Sequence, residues 1–377
     1  MSHQLTSVNI VGAGPAGLYA AILLRKHFPA ASIDVIERNP RGATFGFGVV
    51  FSDRALDFMQ ADAPELLEII SPEMERWSDM RLSLPSRVVT LDGIGFSAIG
   101  RASLLERLER YALELGVNIH YEVEVSGLDD LDADLIVGAD GMNSIVRQSD
   151  PDGFLPSLSW FENRFAWFGA NVTFETLTQT FVETPLGALN AHHYRYSSSM
   201  STFIVECGTQ TFEAYGFGEM DETESAHVCS EIFSDTLHGT DLITNRSQWR
   251  QFPKLWCKHW VSGNRVLLGD AAHSAHFSIG SGTRLAMEDA IALVRALVEE
   301  DDTETALGVF EERRVPIAKK ITDASNQSAE WYDTFADKMR LDPLEFAKDY
   351  LMRSGRIDLD KLRTIAPRFM AEYDGER

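Results

Sequence analysis

The chain has 377 residues, 44% of them hydrophobic and 24% charged, enough to bury one large core or two joined ones and without the bias of a disordered protein. Its 34 Lys and Arg stand against 57 Asp and Glu, and the formal charge of −23 repels nucleic acid and anionic lipid at long range, leaving room only for a local basic pocket. Met1 to Ile10 lacks a basic segment leading into an apolar run, and no stretch of about 18 apolar residues occurs, so a soluble, cytoplasmic protein with no nucleic-acid or membrane partner is expected. Cys207, Cys229 and Cys257 form no C-x-x-C pair and read as buried free thiols.

The first element is a short apolar strand over Ser7 to Gly12, running into Gly12-Ala13-Gly14-Pro15-Ala16-Gly17 and a helical pattern carried by Leu18, Ala21, Ile22 and Leu24. This is G-x-G-x-x-G in the context it needs. Gly12 permits the tight turn, Gly14 lets the backbone approach a pyrophosphate, and Gly17 lets the helix pack closely on the strand. A second strand, Ser32 to Ile36, ends in Glu37, twenty residues after Gly17, where an acid binds ribose hydroxyls. A dinucleotide site is expected here, and no second such motif follows.

Further elements come in order. Gly46 and Gly48, among Phe45, Phe47 and Phe51, read as a flexible apolar loop, and Arg101 opens a helical run through Leu104, Leu105 and Leu108. A buried strand over Leu131 to Gly138 delivers Asp140-Gly141-Met142-Asn143-Ser144-Ile145-Val146-Arg147. Between Pro151 and Gly263 the segments 165–169, 179–182, 191–196 and 202–206 predict an antiparallel sheet rich in aromatics, and 222–237 a helix. Arg265 to Leu268 is a strand into Gly269-Asp270-Ala271-Ala272-His273, then a turn with Gly280 and Gly282 and a helix from Arg284 to Leu297. From Thr303 the pattern is helical, with Arg313, Arg314, Lys319 and Lys320 on successive turns and Pro316 expected to bend or interrupt it.

The glycine, D-G-x-x-S-x-x-R and G-D motifs, in this order, resemble the single-component flavin-dependent aromatic hydroxylases of the para-hydroxybenzoate hydroxylase type. The resemblance implies an α/β fold: a Rossmann-like FAD-binding domain with an inserted mixed or antiparallel-sheet substrate domain and C-terminal helices. The expected boundaries are 1–72, 98–152 and 259–300 for the FAD domain, 73–97 and 153–258 for the substrate domain, and 301–377 for the helical region. It implies tightly bound, non-covalent FAD, NADH or NADPH as a transient electron donor, and O₂ as co-substrate by way of a flavin C4a-hydroperoxide. Cofactor contacts then fall on Gly12, Gly14, Ala16, Gly17, Glu37, Arg38, Phe47, Gly48, Val49, Arg101, Asp140, Gly269, Asp270, Gly280, Gly282 and Thr283. The family often has a proline before the glycine turn, where this chain runs Ser274-Ala275-His276-Phe277-Ser278-Ile279-Gly280.

A narrower resemblance, in segments 44–53, 201–206 and 276–283, is to monooxygenases of aromatic acyl-CoA thioesters such as salicylyl-CoA and 2-aminobenzoyl-CoA. It implies an aromatic CoA thioester as substrate, aromatic-compound degradation as the setting, and a monomer or homodimer. With no reductase half before Arg377, simple hydroxylation is expected over a dearomatising reaction. The alternatives are an indole or other aromatic metabolite, as in violacein formation, or a flavin-binding protein that has lost oxygenation. Histidine and tyrosine exchange protons with phenols, which makes His193, Tyr194, Tyr196 and His276 the catalytic candidates. No third ligand accompanies His192 and His193, so no metal is expected. Arg54, Arg164, Arg195, Arg246, Arg250, Lys254 and Lys258 are the cations available to CoA phosphates.

Overall fold

A computed structural model describes residues 5–52, 57–128 and 131–376; Arg54 and the last residue of the segment 44–53, Asp53, lie outside the described residues. Among the described residues the strands form three sheets. The first runs Val261–Ser262, Arg265–Leu267, Leu135–Gly138, Ser7–Val11, Ser32–Ile36, Asn118–His120, parallel except at its first pair. Leu135–Gly138 at its centre is buried throughout, Ser7–Val11 and Ser32–Ile36 bury alternate residues, and the strands at the two edges are more exposed. The helices Pro15–His27, Arg101–Glu114 and Gly282–Glu299 pack together with this sheet around Leu18, Ile22, Leu108, Leu293 and Leu297. Because Ser7–Val11 has a neighbour on each side reached by opposite crossovers, its carboxyl end opens at a switch point, the usual ligand position of such sheets.

The largest sheet pairs Met80–Ser83 and Val88–Leu91 with the four middle strands Pro156–Ala170, Leu177–Thr184, Gly187–Arg195 and Ser201–Cys207. It is antiparallel apart from the contact of Leu177–Thr184 with Met80–Ser83, which makes it mixed. Side chains alternate between its faces. Leu189, Ala191, Phe203, Val205, Ala166 and Phe168 point to a core closed by Cys229 and Phe233, leaving His192, Tyr194, Ile204 and Trp167 on the face toward the first sheet. The third sheet, Gly48–Ser52, Phe96–Gly100 and Glu75–Trp77, bridges the two.

Two expectations need correction. Phe233 interrupts the predicted 222–237 helix, giving Glu222–Ile232 and Ser234–Leu237. The helix Thr303–Tyr332 runs through Pro316, so of the expected bend or interruption the interruption does not occur. Pro316 is exposed, so the carbonyl it leaves unbonded faces water, while Phe310, Arg314 and Ala318 anchor the buried side. All three cysteines are buried and unpaired. Among the described residues no helix is long and apolar enough to cross a membrane.

Candidate active site

One cavity of about 930 Å³ opens at the switch point and reaches the inner face of the large sheet. That is near the top of the range for cofactor and ligand sites, about 300–1,000 Å³. Its first part is backbone. Gly12 has φ of +105°, and a Cβ there would stand 2.4 Å from the Ala139 carbonyl; one on Gly17 would stand 2.0 Å from the Gly12 carbonyl. Gly14 differs: its nearest atom is 4.0 Å away and it lines the cavity, so only a ligand needs it bare. Glu37 closes the loop, accepting from the Ala13 amide at 2.9 Å and from the Asn39 amide at 2.8 Å.

The two aspartate motifs meet below this loop. Asp140 Oδ2 accepts from the Ile145 amide at 2.6 Å, while buried Oδ1 has no partner and Asp140 lines the cavity. Burial raises its carboxyl above the usual range, against hydrogen bonds from Ser144 and Ile145. Arg147 donates to the carbonyls of Ala271, at 2.7 Å, and Met142, locking one motif to the other. Behind them lies a fully buried polar knot. Asp289 accepts from the Gly269 amide at 2.9 Å, His273 Nε2 at 2.8 Å and Arg314 Nε at 2.7 Å. This knot holds the turn with positive φ at Gly269 from which Asp270 reaches the cavity. Burial raises the Asp270 carboxyl, with His273 and Arg101 pulling it back. Arg101 is half-buried on the opposite wall, and among the described residues its guanidinium makes no hydrogen bond or ion pair. An unpaired guanidinium, an orphan carboxylate oxygen and a bare glycine loop fit the phosphates and sugar hydroxyls of a dinucleotide.

The second part of the cavity is apolar. Phe45, Trp167, Leu177, Ile204, Phe252 and Phe277 line it, with Gln179, His192 and Tyr194 as polar insertions. Tyr194 donates to the Gly48 carbonyl at 2.9 Å, and the Gly48 amide donates to Thr202 Oγ1 at 2.9 Å, so the glycine loop is stitched to the sheet. Burial pushes the Tyr194 phenol well up. Tyr350, Leu351, Arg353, Arg356 and Lys361 close the far end.

Of the residues expected at a cofactor, Gly12, Gly14, Ala16, Glu37, Arg38, Gly48, Val49, Arg101, Asp140, Asp270, Gly280, Gly282 and Thr283 come together on the cavity wall. Gly17, Gly269 and Phe47 do not. Gly17 and Gly269 stand behind the wall, and a Cβ on Gly169 would stand 2.4 Å from the Phe47 ring that packs there. Of the proton-handling candidates, the structure brings only Tyr194 to the cavity. His193 faces the opposite core, stacked 5.2 Å from Phe203 with Nε2 on Thr180 Oγ1, and burial lowers its pKa to about 3. His276 lies behind Phe252 and Phe277, and Tyr196 buttresses Gly48. Sequence reading missed His192, which period-two alternation places on the cavity face whenever His193 is in the core. Of the expected CoA cations, Arg54 lies outside the described residues and the other six do not line the cavity. Arg195 pairs with Glu75 and Lys254 with Glu330, Arg164, Arg246 and Arg250 lie over Phe212, Phe45 and Phe165, and Lys258 is exposed. Arg353, Arg356 and Lys361, which were not expected there, do line it.

A family model described as "FAD binding domain" matches residues 114–325, and one for an NAD(P)-binding Rossmann-like domain matches 10–47. Salicyloyl-CoA 5-hydroxylase of a Streptomyces species is 37% identical over 98% of this chain and 73% of its own. The chain belongs to the FAD-dependent aromatic monooxygenases. Protodeoxyviolaceinate monooxygenase of Chromobacterium violaceum is 33% identical, over 90% of this chain and 92% of its own. The 3-hydroxy-4-methyl-anthranilyl-[aryl-carrier protein] 5-monooxygenase of Streptosporangium sibiricum is 32% identical, over 94% and 95%. In fold, this monooxygenase matches 2-methyl-3-hydroxypyridine-5-carboxylic acid oxygenase with a TM-score of 0.73 at 18% identity, covering 96% of both chains. FAD is its cofactor, NAD(P)H its electron donor and O₂ its co-substrate.

Proposed function

We propose that this monooxygenase hydroxylates an aromatic ring presented as an acyl thioester of a phosphopantetheine carrier, CoA above all. The observation that carries the reading is the far rim of the cavity. Arg356 and Lys361 line it, both exposed, and among the described residues neither is in an ion pair. In a chain of charge −23, unpaired cations at a cavity mouth suit a phosphate-bearing arm. Two of the relatives support it by name, one acting on a CoA ester and one on a carrier-protein ester. A second reading, a carboxylated aromatic metabolite without a thioester, is favoured by the protodeoxyviolaceinate relative.

Bound FAD would take hydride from NAD(P)H and activate O₂ for transfer of one oxygen atom. The chain's own groups do the rest. Gly12, Gly14 and the first amides of Pro15–His27 would hold the pyrophosphate, with Arg101 as counter-charge, and Asp140 and Asp270 would take hydroxyls of the dinucleotide. The amides from Ser281 to Thr283, which open the helix Gly282–Glu299, would face negative charge on a reduced ring. Phe45, Trp167, Phe252 and Phe277 keep water from the activated oxygen and orient the arene.

Incubation with NADH or NADPH, salicylyl-CoA and isotopically labelled O₂ tests this. One labelled oxygen atom should enter the thioester product, and the free acid should be a poor substrate. Labelled product from the free acid alone would replace the thioester reading with the second one.

A further inference from the structure

We infer that His192 and Glu206 form an imidazole–carboxylate pair that accepts the proton of a ring hydroxyl or amino group of the aromatic substrate at His192 Nδ1. The inference rests on the aromatic monooxygenase reading and is independent of whether the arene is a thioester. His192 lines the apolar half of the cavity beside Gln179, Ile204 and Phe277. Its Nε2 lies 3.2 Å from Glu206 Oε2, to which an Nε2–H donates, and 3.2 Å from the Asn190 amide nitrogen, a donor that suits this tautomer only when the amide is turned to present its otherwise unpartnered Oδ1; Nδ1 is then the nitrogen left for a ligand. Glu206 is only 2% exposed, and a lone carboxylate in such a place costs several kcal/mol. Two side chains answer it: Asn163, which donates to Oε1 at 3.0 Å and is anchored by donating to the Tyr332 carbonyl at 2.9 Å, and His192. The buried acid is therefore wired through one histidine to the substrate chamber. Packing alone gives no reason for it, since an apolar residue would fill the space at less cost.

The groups around the pair set its resting state. His276 lies on one side, Arg353 arrives from the end of Pro343–Met352, and Tyr332 and Asp333 close the end of the long helix. Burial, with Arg353 adding to it, lowers the His192 pKa to about 3, so the ring is neutral at pH 7; the proton would be held at Nδ1 by the negative charge of the phenolate on one side and of Glu206 on the other. Burial raises Glu206, opposed by His276 and Asn163, and burial together with Glu206 raises Asp333 to about 6. In the proposed step the substrate O–H bond breaks, its proton joins Nδ1 and its electron pair stays on oxygen. The imidazolium then shares its Nε2 proton with the Glu206 carboxylate. The ring gains the electron density that oxygen transfer needs, and the proton returns to the product's oxygen.

The test uses His192→Gln and Glu206→Gln in the FAD-loaded enzyme, each first checked for wild-type flavin content. Ionisation of 4-nitrophenol is followed through the absorbance of its anion as pH is varied. Wild type should lower the apparent pKa of the added phenol, and both variants should return it to the free value. Absence of a shift in wild type, or an equal shift in both variants, overturns the inference. With salicylyl-CoA the variants should lose roughly 100-fold in kcat at neutral pH with KM little changed. Rising pH, or a fluorinated ring whose phenol is more acidic, should restore activity, which a merely structural role would not allow. If salicylyl-CoA fails while the nitrophenol shift stands, the thioester reading falls and the proton-accepting pair remains.

Discussion

Replacing Asp289 by Asn retains the shape of the side chain and removes the charge at the centre of the knot behind the turn at Gly269. Asp289 is 0% exposed and accepts from a backbone amide, a histidine and an arginine that is itself 5% exposed. An asparagine offers one oxygen where two were engaged, so its amide meets a donor, and Arg314 is left with Glu288 at 3.2 Å. Removing one partner of a buried ion pair costs about 3–5 kcal/mol. Over 377 residues, at about 2 cal/mol/K per residue, 4 kcal/mol is a fall in Tm of roughly 5 °C if the chain unfolds as one unit. Burial raises the Asp289 carboxyl, but Arg314 and His273 outweigh it and hold it below its ordinary value. A lowered carboxyl stabilises in full above its unfolded pKa and stops doing so as pH falls through the folded one. The wild-type advantage should therefore be constant near neutrality and shrink in acid below the ordinary carboxylate range. Thermal melts from neutral to acid pH, with flavin content measured in parallel, read both effects. A variant melting within about a degree of wild type at neutral pH would refute the reasoning.

Asp270→Ala and Gly14→Val should each yield folded apoprotein that retains little FAD on gel filtration; full flavin occupancy would remove the residue from the cofactor contacts. In Gly48→Ala the new Cβ would stand 2.4 Å from Tyr196 Cβ, and stability should fall by about 1–3 kcal/mol in denaturant titration. Replacing Arg356 and Lys361 together by Ala should raise KM for salicylyl-CoA roughly tenfold and flatten its salt dependence, while KM for a free acid moves little.

The half of the cavity proposed for the cofactor is legible in the sequence because its wall is largely backbone: Gly12 and Gly14 stand at turns and close approaches that only certain residues in a fixed order permit. The substrate half is built from side chains whose partners are distant in sequence. His192 and His193 are adjacent, aromatic and titratable, and only the packing of Leu189 and Ala191 on the far core tells which of them reaches the cavity. Glu206 meets His192 across strands that pair residue 190 with 206, a register not readable from either strand alone. Arg353 and Arg356 are hidden for another reason. They sit on a helical region with no motif, and only its folding back over the large sheet, with Tyr350 and Phe346 against Leu82 and Phe181, brings them to the rim.

The most direct measurement is the anaerobic rate of flavin reduction by NADH and by NADPH, with and without salicylyl-CoA, 2-aminobenzoyl-CoA and their free acids. The account predicts that one thioester strongly accelerates reduction and that its free acid does not. Equal rates with and without every thioester would contradict it.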